Sequence, residues 1–323
     1  MKKAKIALLL ALFLMLPLVT GCNLFSKEPS KTPEEVVKSA IMNSQNIKTA
    51  TVKIGINGFL ADESNEKKQR IDLNMNVDEK FDTNDVKNLK LDLGMAGDVT
   101  IEGKKYNGEA DLRMMNRKMY FSVLKYPDPK EFPDLAMIAT FANKWFFLSM
   151  DELGQTVPLM PFDEASMTPE MKQVKEEAQK TNFFKDLKYE GTEDASGESA
   201  YKYTGSIDMD KVYGFIVKVS EINKKTQTEE EKVQLKKGLS NLNIPMTIWV
   251  SVDDEVMLKA AGTLNYNDAE NKNSAKVDFT TAVSGIGKAV VIEEPKDALD
   301  LKQIISSMMG GGVASGVDVA PAK

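Results

Sequence analysis

The side chains best able to do chemistry in this 323-residue chain are defined first by what is missing: there is no histidine, and Cys22 is the single cysteine. Without an imidazole, neither a Ser-His-Asp nor a Cys-His nucleophilic site can be assembled, and every histidine-ligated zinc arrangement is excluded. A lone thiol has no partner for a disulfide. Carboxylates are abundant enough to supply an acid/base pair, so a hydrolase built on two carboxylates stays as the last-ranked expectation, with no motif behind it; the acidic clusters themselves read as structural. Asp208-Met209-Asp210 lacks the further ligands and the glycine of an EF-hand loop and reads as a helix cap. Asp253-Asp254-Glu255 reads as a hairpin turn, and Glu229-Glu230-Glu231 as a helix start, where acids complement the dipole. Gly310-Gly311-Gly312 follows a helix instead of preceding one, so it does not form a phosphate-cradling loop. The expectation is therefore no catalytic residue, no metal and no cofactor, with Cys22 as the residue that carries chemistry.

The context of Cys22 says what that chemistry is. Lys2, Lys3 and Lys5 form a short positive region, and Ile6 to Val19 follows without a charge. A basic start, an apolar run of about 14 residues and small residues before a cut site describe a signal peptide. The run is short for a hydrocarbon core, which asks for about 20 apolar residues. Val19-Thr20-Gly21-Cys22 resembles the bacterial lipobox, an aliphatic residue and two small ones before the cysteine that receives diacylglycerol. The resemblance implies cleavage after Gly21 and lipidation of Cys22. Acyl chains contribute about 0.8 kcal/mol per buried CH₂, so two or more anchor a protein stably where one does not. The expected location is the cell membrane, on its extracytoplasmic face, through the lipid anchor.

Cleavage there leaves 302 residues, and loss of three lysines takes the formal charge from −6 to about −9. An acidic surface without a basic stripe repels phosphate backbones, so nucleic acid is not an expected partner. Residues 22–31 read as a lipidated tether, 32–309 as one folded domain, and 310–323 as a disordered tail of Gly, Ala and Val without period.

Within the folded part, Thr32-Pro33-Glu34-Glu35 has the form of a capping box with proline in the first turn. Period-two alternation follows: Val52, Ile54, Ile56; Ile71, Leu73, Met75, Val77; Leu89, Leu91, Leu93, Met95; Ala110, Leu112, Met114. Such alternation marks half-buried antiparallel strands. Further strands are predicted over 119–124 and 145–150. The middle section predicts a helix opened by Thr168-Pro169, with Met167, Met171, Val174 and Ala178 along one face. A hairpin around Asp194–Gly197 follows, then a helix capped by Asp208 and another beginning at Thr228 with Glu231 three residues on. The last third predicts a hairpin over 246–266, a strand over 277–283, a short strand at Ala289–Ile292 and a closing helix over Pro295–Met309. One sheet accommodates both strand sets if the helices cover its concave face. The fold class is then α+β: a large curved antiparallel sheet, a half-barrel, with helices packed over the concave side.

Three segments carry a wider resemblance: Thr32–Ile54, a capped helix and first long strand; Ile244–Tyr266, a hairpin around an acidic turn; and Val277–Leu301, a closing strand, a Gly-containing bend and a Pro-led helix. They resemble the LolA-like and LppX/LprG-type bacterial lipoproteins. The resemblance implies a half-barrel around an apolar cavity that binds or carries a lipid or acyl ligand. The other expectation is a non-enzymatic structural or protein-interaction lipoprotein with a partner in the cell envelope. Candidate cavity-lining residues are Ile54, Leu73, Met75 and Leu91 on strands, and Val212, Phe215, Ile216 and Val219 on the helix after Asp208. That helix faces either the sheet, as core, or a ligand space, as a lid. The 18 methionines of the chain suit a lining that must accept variable apolar shapes, as they suit ordinary core filling.

Overall fold

The alternation read from the sequence becomes a single sheet in a computed structural model of the chain. The structure describes residues 29–64, 68–85, 88–128, 130, 141–150, 167–225 and 227–309. The signal segment, the lipobox with Cys22, Met137, Met160 and the tail from 310 lie outside them.

Thirteen strands stand among the described residues: β1 (Thr49–Asp62), β2 (Gln69–Asp82), β3 (Lys90–Ile101), β4 (Lys104–Met115), β5 (Lys118–Lys125), β6 (Phe146–Ser149), β7 (Phe184–Ala195), β8 (Glu198–Ile207), β9 (Leu242–Asn243), β10 (Pro245–Ser251), β11 (Met257–Asp268), β12 (Asn273–Ser284) and β13 (Leu299–Asp300). Their order across the sheet is β13-β6-β5-β4-β3-β2-β1-β12-β11-β10-β8-β7, with β9 pairing β11 off this path. The ends do not meet, so the sheet is open. The first strand set is a meander. Its turns at Glu102-Gly103 and Asn116-Arg117 have positive φ at both residues, the geometry whose twist matches a two-residue hairpin. The second set joins the first through β1 and β12, in register from Thr51↔Ser284 to Asp62↔Asn273.

Because antiparallel partners point to the same side, register assigns every side chain to a face. One face carries Val52, Ile54, Ile56, Leu73, Met75, Val77, Leu91, Leu93 and their partners. Two glycines mark close backbone approaches on this face, while Gly108, across from Gly97, meets open space. A Cβ on Gly58 would lie 2.2 Å from the Lys276 carbonyl oxygen, and one on Gly97 2.5 Å from that of Asn74. Both are on the apolar face, and only glycine tolerates so close an approach. At Gly55 and Gly94, on the opposite face, no backbone atom lies closer than 4.0 Å.

Helices cover part of the concave side. Helix α1 (Pro33–Asn43) has the reciprocal Thr32/Glu35 capping box. Its Val36, Val37 and Ala40 pack on Tyr203, Ile248 and Ala260 of β8, β10 and β11. Helix α2 (Pro169–Lys180) is capped by Thr168 but buries none of its residues among those described, so its predicted apolar face is not part of a core. Helix α3 (Met209–Ile222) is capped by Asp208, which accepts from the Asp210 and Lys211 amides. Helix α4 (Glu229–Ser240) has a second full capping box, Thr228 with Glu231.

The C-terminal end corrects two expectations. Ala289–Ile292 is not a strand but part of an irregular strap on the outer face. There Ile292 is buried against Met115 and Tyr120, with Val290, Trp145 and Phe147 alongside. Glu294 receives hydrogen bonds from the Tyr120 hydroxyl and, at 2.9 Å, from the Asn116 amide. Side chains, not ladder bonds, hold this segment. The strand next to β6 is β13, running parallel to it, and the closing helix α5 (Leu301–Met309) begins at Leu301 instead of Pro295.

Candidate functional site

The concave face can be followed row by row across the strands. One row runs Leu148, Met119, Met114, Leu91, Phe81, Ala50 from β6 to β1. It is tightly packed: Phe81, Met114 and Ala50 are buried, and Phe81 and Ala50 share a cluster with Ile47, Val256, Leu258 and Val283. Two to four rows away the same surface is open. Met75 is 36% exposed, and Met95 and Val99 are each 37% exposed. At the far end, Ile101 is 40% exposed. From Phe81 to Ile71 the surface runs about 34 Å, ten residues at about 3.4 Å each. It therefore has a packed end and an open end, on a face lined by Leu, Ile, Val and Met. Isolated exposed apolar residues need no explanation, but a contiguous patch points to a binding surface.

The open half lies on β1–β4. Over β8–β12 the face is covered, by α1 and by a second group in which Met209 of α3 and Leu242 pack with Ile244, Leu264 and Val277. Half-buried Ile56 and Phe279 join that group and mark its border with the open half.

Of the residues expected to line a cavity, Ile54, Leu73, Met75 and Leu91 all lie on this face, on three adjacent strands. Ile54 and Leu91 touch the packed end, while Leu73 and Met75 stand toward the open one. The helical candidates sit elsewhere. Val212 and Phe215 are buried on α3, Ile216 and Val219 half-buried. Phe215 packs edge-to-face on Phe183 at 5.2 Å, and α3 packs chiefly against α2 and α4. Met209, at the start of α3, packs against Ile244 and the sheet residues Leu264 and Val277.

Glu79 escapes the sequence reading. It belongs to the row Phe146, Phe121, Leu112, Leu93, Glu79, Val52, Val283, in which every other member is apolar. It is half-buried, and no hydrogen bond or ion pair holds it among the described residues. Loss of water around the carboxyl raises its pKa above the usual glutamate value. Its signal was present in the sequence: it occupies an apolar phase position of Ile71-Leu73-Met75-Val77-Glu79-Phe81. A second polar atom on the face, Thr281 Oγ1, is buried opposite Ile54 with no hydrogen-bond partner among the described residues.

Among the described residues no group of three or more acidic side chains is placed to hold a metal ion. Nor is any helix among them long and apolar enough to cross a membrane.

Neither a protein family nor a curated protein matches this sequence. Among solved structures, the chain is similar to LprF from Mycobacterium bovis at 13% identity, over 83% of this chain and 99% of that one, with a TM-score of 0.36. It is similar to the Mycobacterium tuberculosis lipoprotein LppX at 12% identity, over 82% and 100% of the two chains, also with a TM-score of 0.36. A DUF1329 family protein from Desulfovibrio piger is similar at 9% identity, over 83% and 96%, with a TM-score of 0.19.

Proposed function

We propose that this chain is a membrane-anchored extracytoplasmic lipoprotein that binds or carries a lipid or acyl ligand on its concave apolar face. Cys22 bears the anchor, residues 22–31 form the tether, and residues 32–309 form one folded unit. The observation that carries this reading is the concave face itself, packed at Phe81 and open at Met75, Met95 and Ile101. Removing apolar surface from water is worth about 25 cal/mol per Å², so leaving such a face bare costs free energy that an acyl chain recovers. Flexible methionines at its open half accommodate chains of varied shape. The proposed action is binding without catalysis; the absence of histidine and a single cysteine, which this reading assigns to the anchor, support it.

The test is uptake of a fluorescent acyl probe by the full chain and by Met75→Asp and Met95→Asp variants. Both positions are partly exposed, so the variants should fold with small changes in melting temperature. Probe retention should fall at least about tenfold, the effect of 1.4 kcal/mol. Unchanged retention in both variants would remove the concave face as the binding surface.

A second reading, an interaction lipoprotein with an envelope protein partner, is favoured by one observation. Met171 on α2 and Val233 on α4 are exposed apolar residues outside the concave face. Crosslinking from those two positions in intact cells, with a specific adduct lost on Val233→Lys, would support it over the first.

A further inference from the structure

Glu79 has no structural task that would account for it. It is on β2, which is paired on both sides by β1 and β3, so it does not guard a sheet edge. It caps no helix and closes no turn. It stands across from Val52 on one side and Leu93 on the other, one row above the packed end of the concave face. The strand neighbours on the same face are Val77 and Phe81. Among the described residues no cationic side chain shares that part of the face: Lys53 and Lys80, the nearest lysines in sequence, point to the opposite side, where Lys53 lies 3.6 Å from Asp78. A half-buried carboxyl without a partner is costly wherever it serves nothing.

Resting on the lipid-binding reading above, we propose that Glu79 selects and orients the occupant of the concave face. The occupant is an amphiphile that brings an O–H or N–H donor to the Glu79 carboxyl, head inward, with its acyl chain running toward Met75, Met95 and Ile101. A donor satisfies the carboxyl, and a hydrogen bond to a charged group is worth about 1.5–3 kcal/mol. The apolar rows above Glu79 then meet only hydrocarbon. From Glu79 to Ile71 the face offers about 27 Å, eight residues at about 3.4 Å. A free fatty acid fits poorly in either direction. Head inward it sets one carboxylate against another, and tail inward it buries Glu79 against methylene groups.

The test compares three ligands of one chain length, competing for the full chain against a fluorescent acyl probe: monopalmitoylglycerol, hexadecylamine and palmitate. The first offers hydroxyl donors, the second an ammonium donor, the third an anion. The expected result is retention of monopalmitoylglycerol or hexadecylamine about tenfold or more above palmitate, which corresponds to about 1.4 kcal/mol. Which of the two ranks first identifies the donor as hydroxyl or amine. In Glu79→Leu the preference should shrink to within about threefold, and Glu79→Gln should admit palmitate while keeping the glyceride. Neither variant adds a buried charge, and melting curves serve as the folding control. Equal retention of all three ligands by the native chain, or an unchanged preference in Glu79→Leu, would overturn the assignment of Glu79 and leave the acyl site standing. No retention of any of the three by the native chain would overturn both.

Discussion

Val52 and Glu79 face each other across β1 and β2, an aliphatic side chain that is 3% exposed opposite a carboxyl with no partner among the described residues. Desolvation raises the Glu79 pKa. A carboxyl whose folded pKa lies above its unfolded value holds more protons in the folded chain between those two values. Stability from this group therefore falls as pH rises through that window. Glu79→Leu should raise the melting temperature at neutral pH, and raise it less at about pH 4, below the ordinary glutamate value. An equal gain at both pH values would show that the ionised carboxyl is not the source.

Anchoring is tested at Cys22. Cys22→Ser should abolish incorporation of labelled palmitate and leave the chain unprocessed or released from membranes. Palmitate incorporated into that variant would show that the acyl group sits elsewhere.

The assignment of faces is tested by adjacent residues. Val52→Gln puts an unsatisfied amide into the packed cluster and removes aliphatic contacts, a cost of about 2–4 kcal/mol. Lys53→Gln, one residue on and on the outer face, should stay within about 0.5 kcal/mol. Denaturant titration measures both, and similar losses would contradict the register.

Close backbone approach is tested by glycine. Gly97→Ala sets a methyl group against the β2 backbone, and overpacking of this kind costs about 1–3 kcal/mol. Gly94→Ala, on the outer face, meets an Asp111 carboxylate oxygen at 3.3 Å that can rotate aside. It should be nearly neutral. Equal effects would contradict the close approach at Gly97.

Much of this architecture was legible because its signals are local. Alternation at Val52–Ile56 and Ile71–Val77, the caps at Thr32, Asp208 and Thr228, and the turn at Ser196-Gly197 all depend on residues a few positions apart. At Ala289–Ile292 the sequence points to a strand, because three β-branched residues in four raise strand propensity whatever the backbone does. Tertiary anchoring through Ile292 and Glu294 decided the outcome. The pairing of β1 with β12 joins segments more than 200 residues apart, and no local pattern encodes it. The candidate lining residues separated for a related reason. The stripe on α3 was visible, but whether it meets the sheet or the helices α2 and α4 depends on docking. Glu79 was visible in the sequence as a break in phase, and it acquired meaning only when Leu93 and Val52 were found on either side of it.

Native mass spectrometry of the full chain, purified from its membrane without delipidation, measures the central claim most directly. The account predicts a bound species of lipid mass in addition to the covalent anchor. That species should be released on denaturation, recovered in organic extract, and reduced in Met95→Asp. A chain whose mass is accounted for by the polypeptide and its anchor alone, and which takes up no acyl ligand when one is supplied, would contradict it.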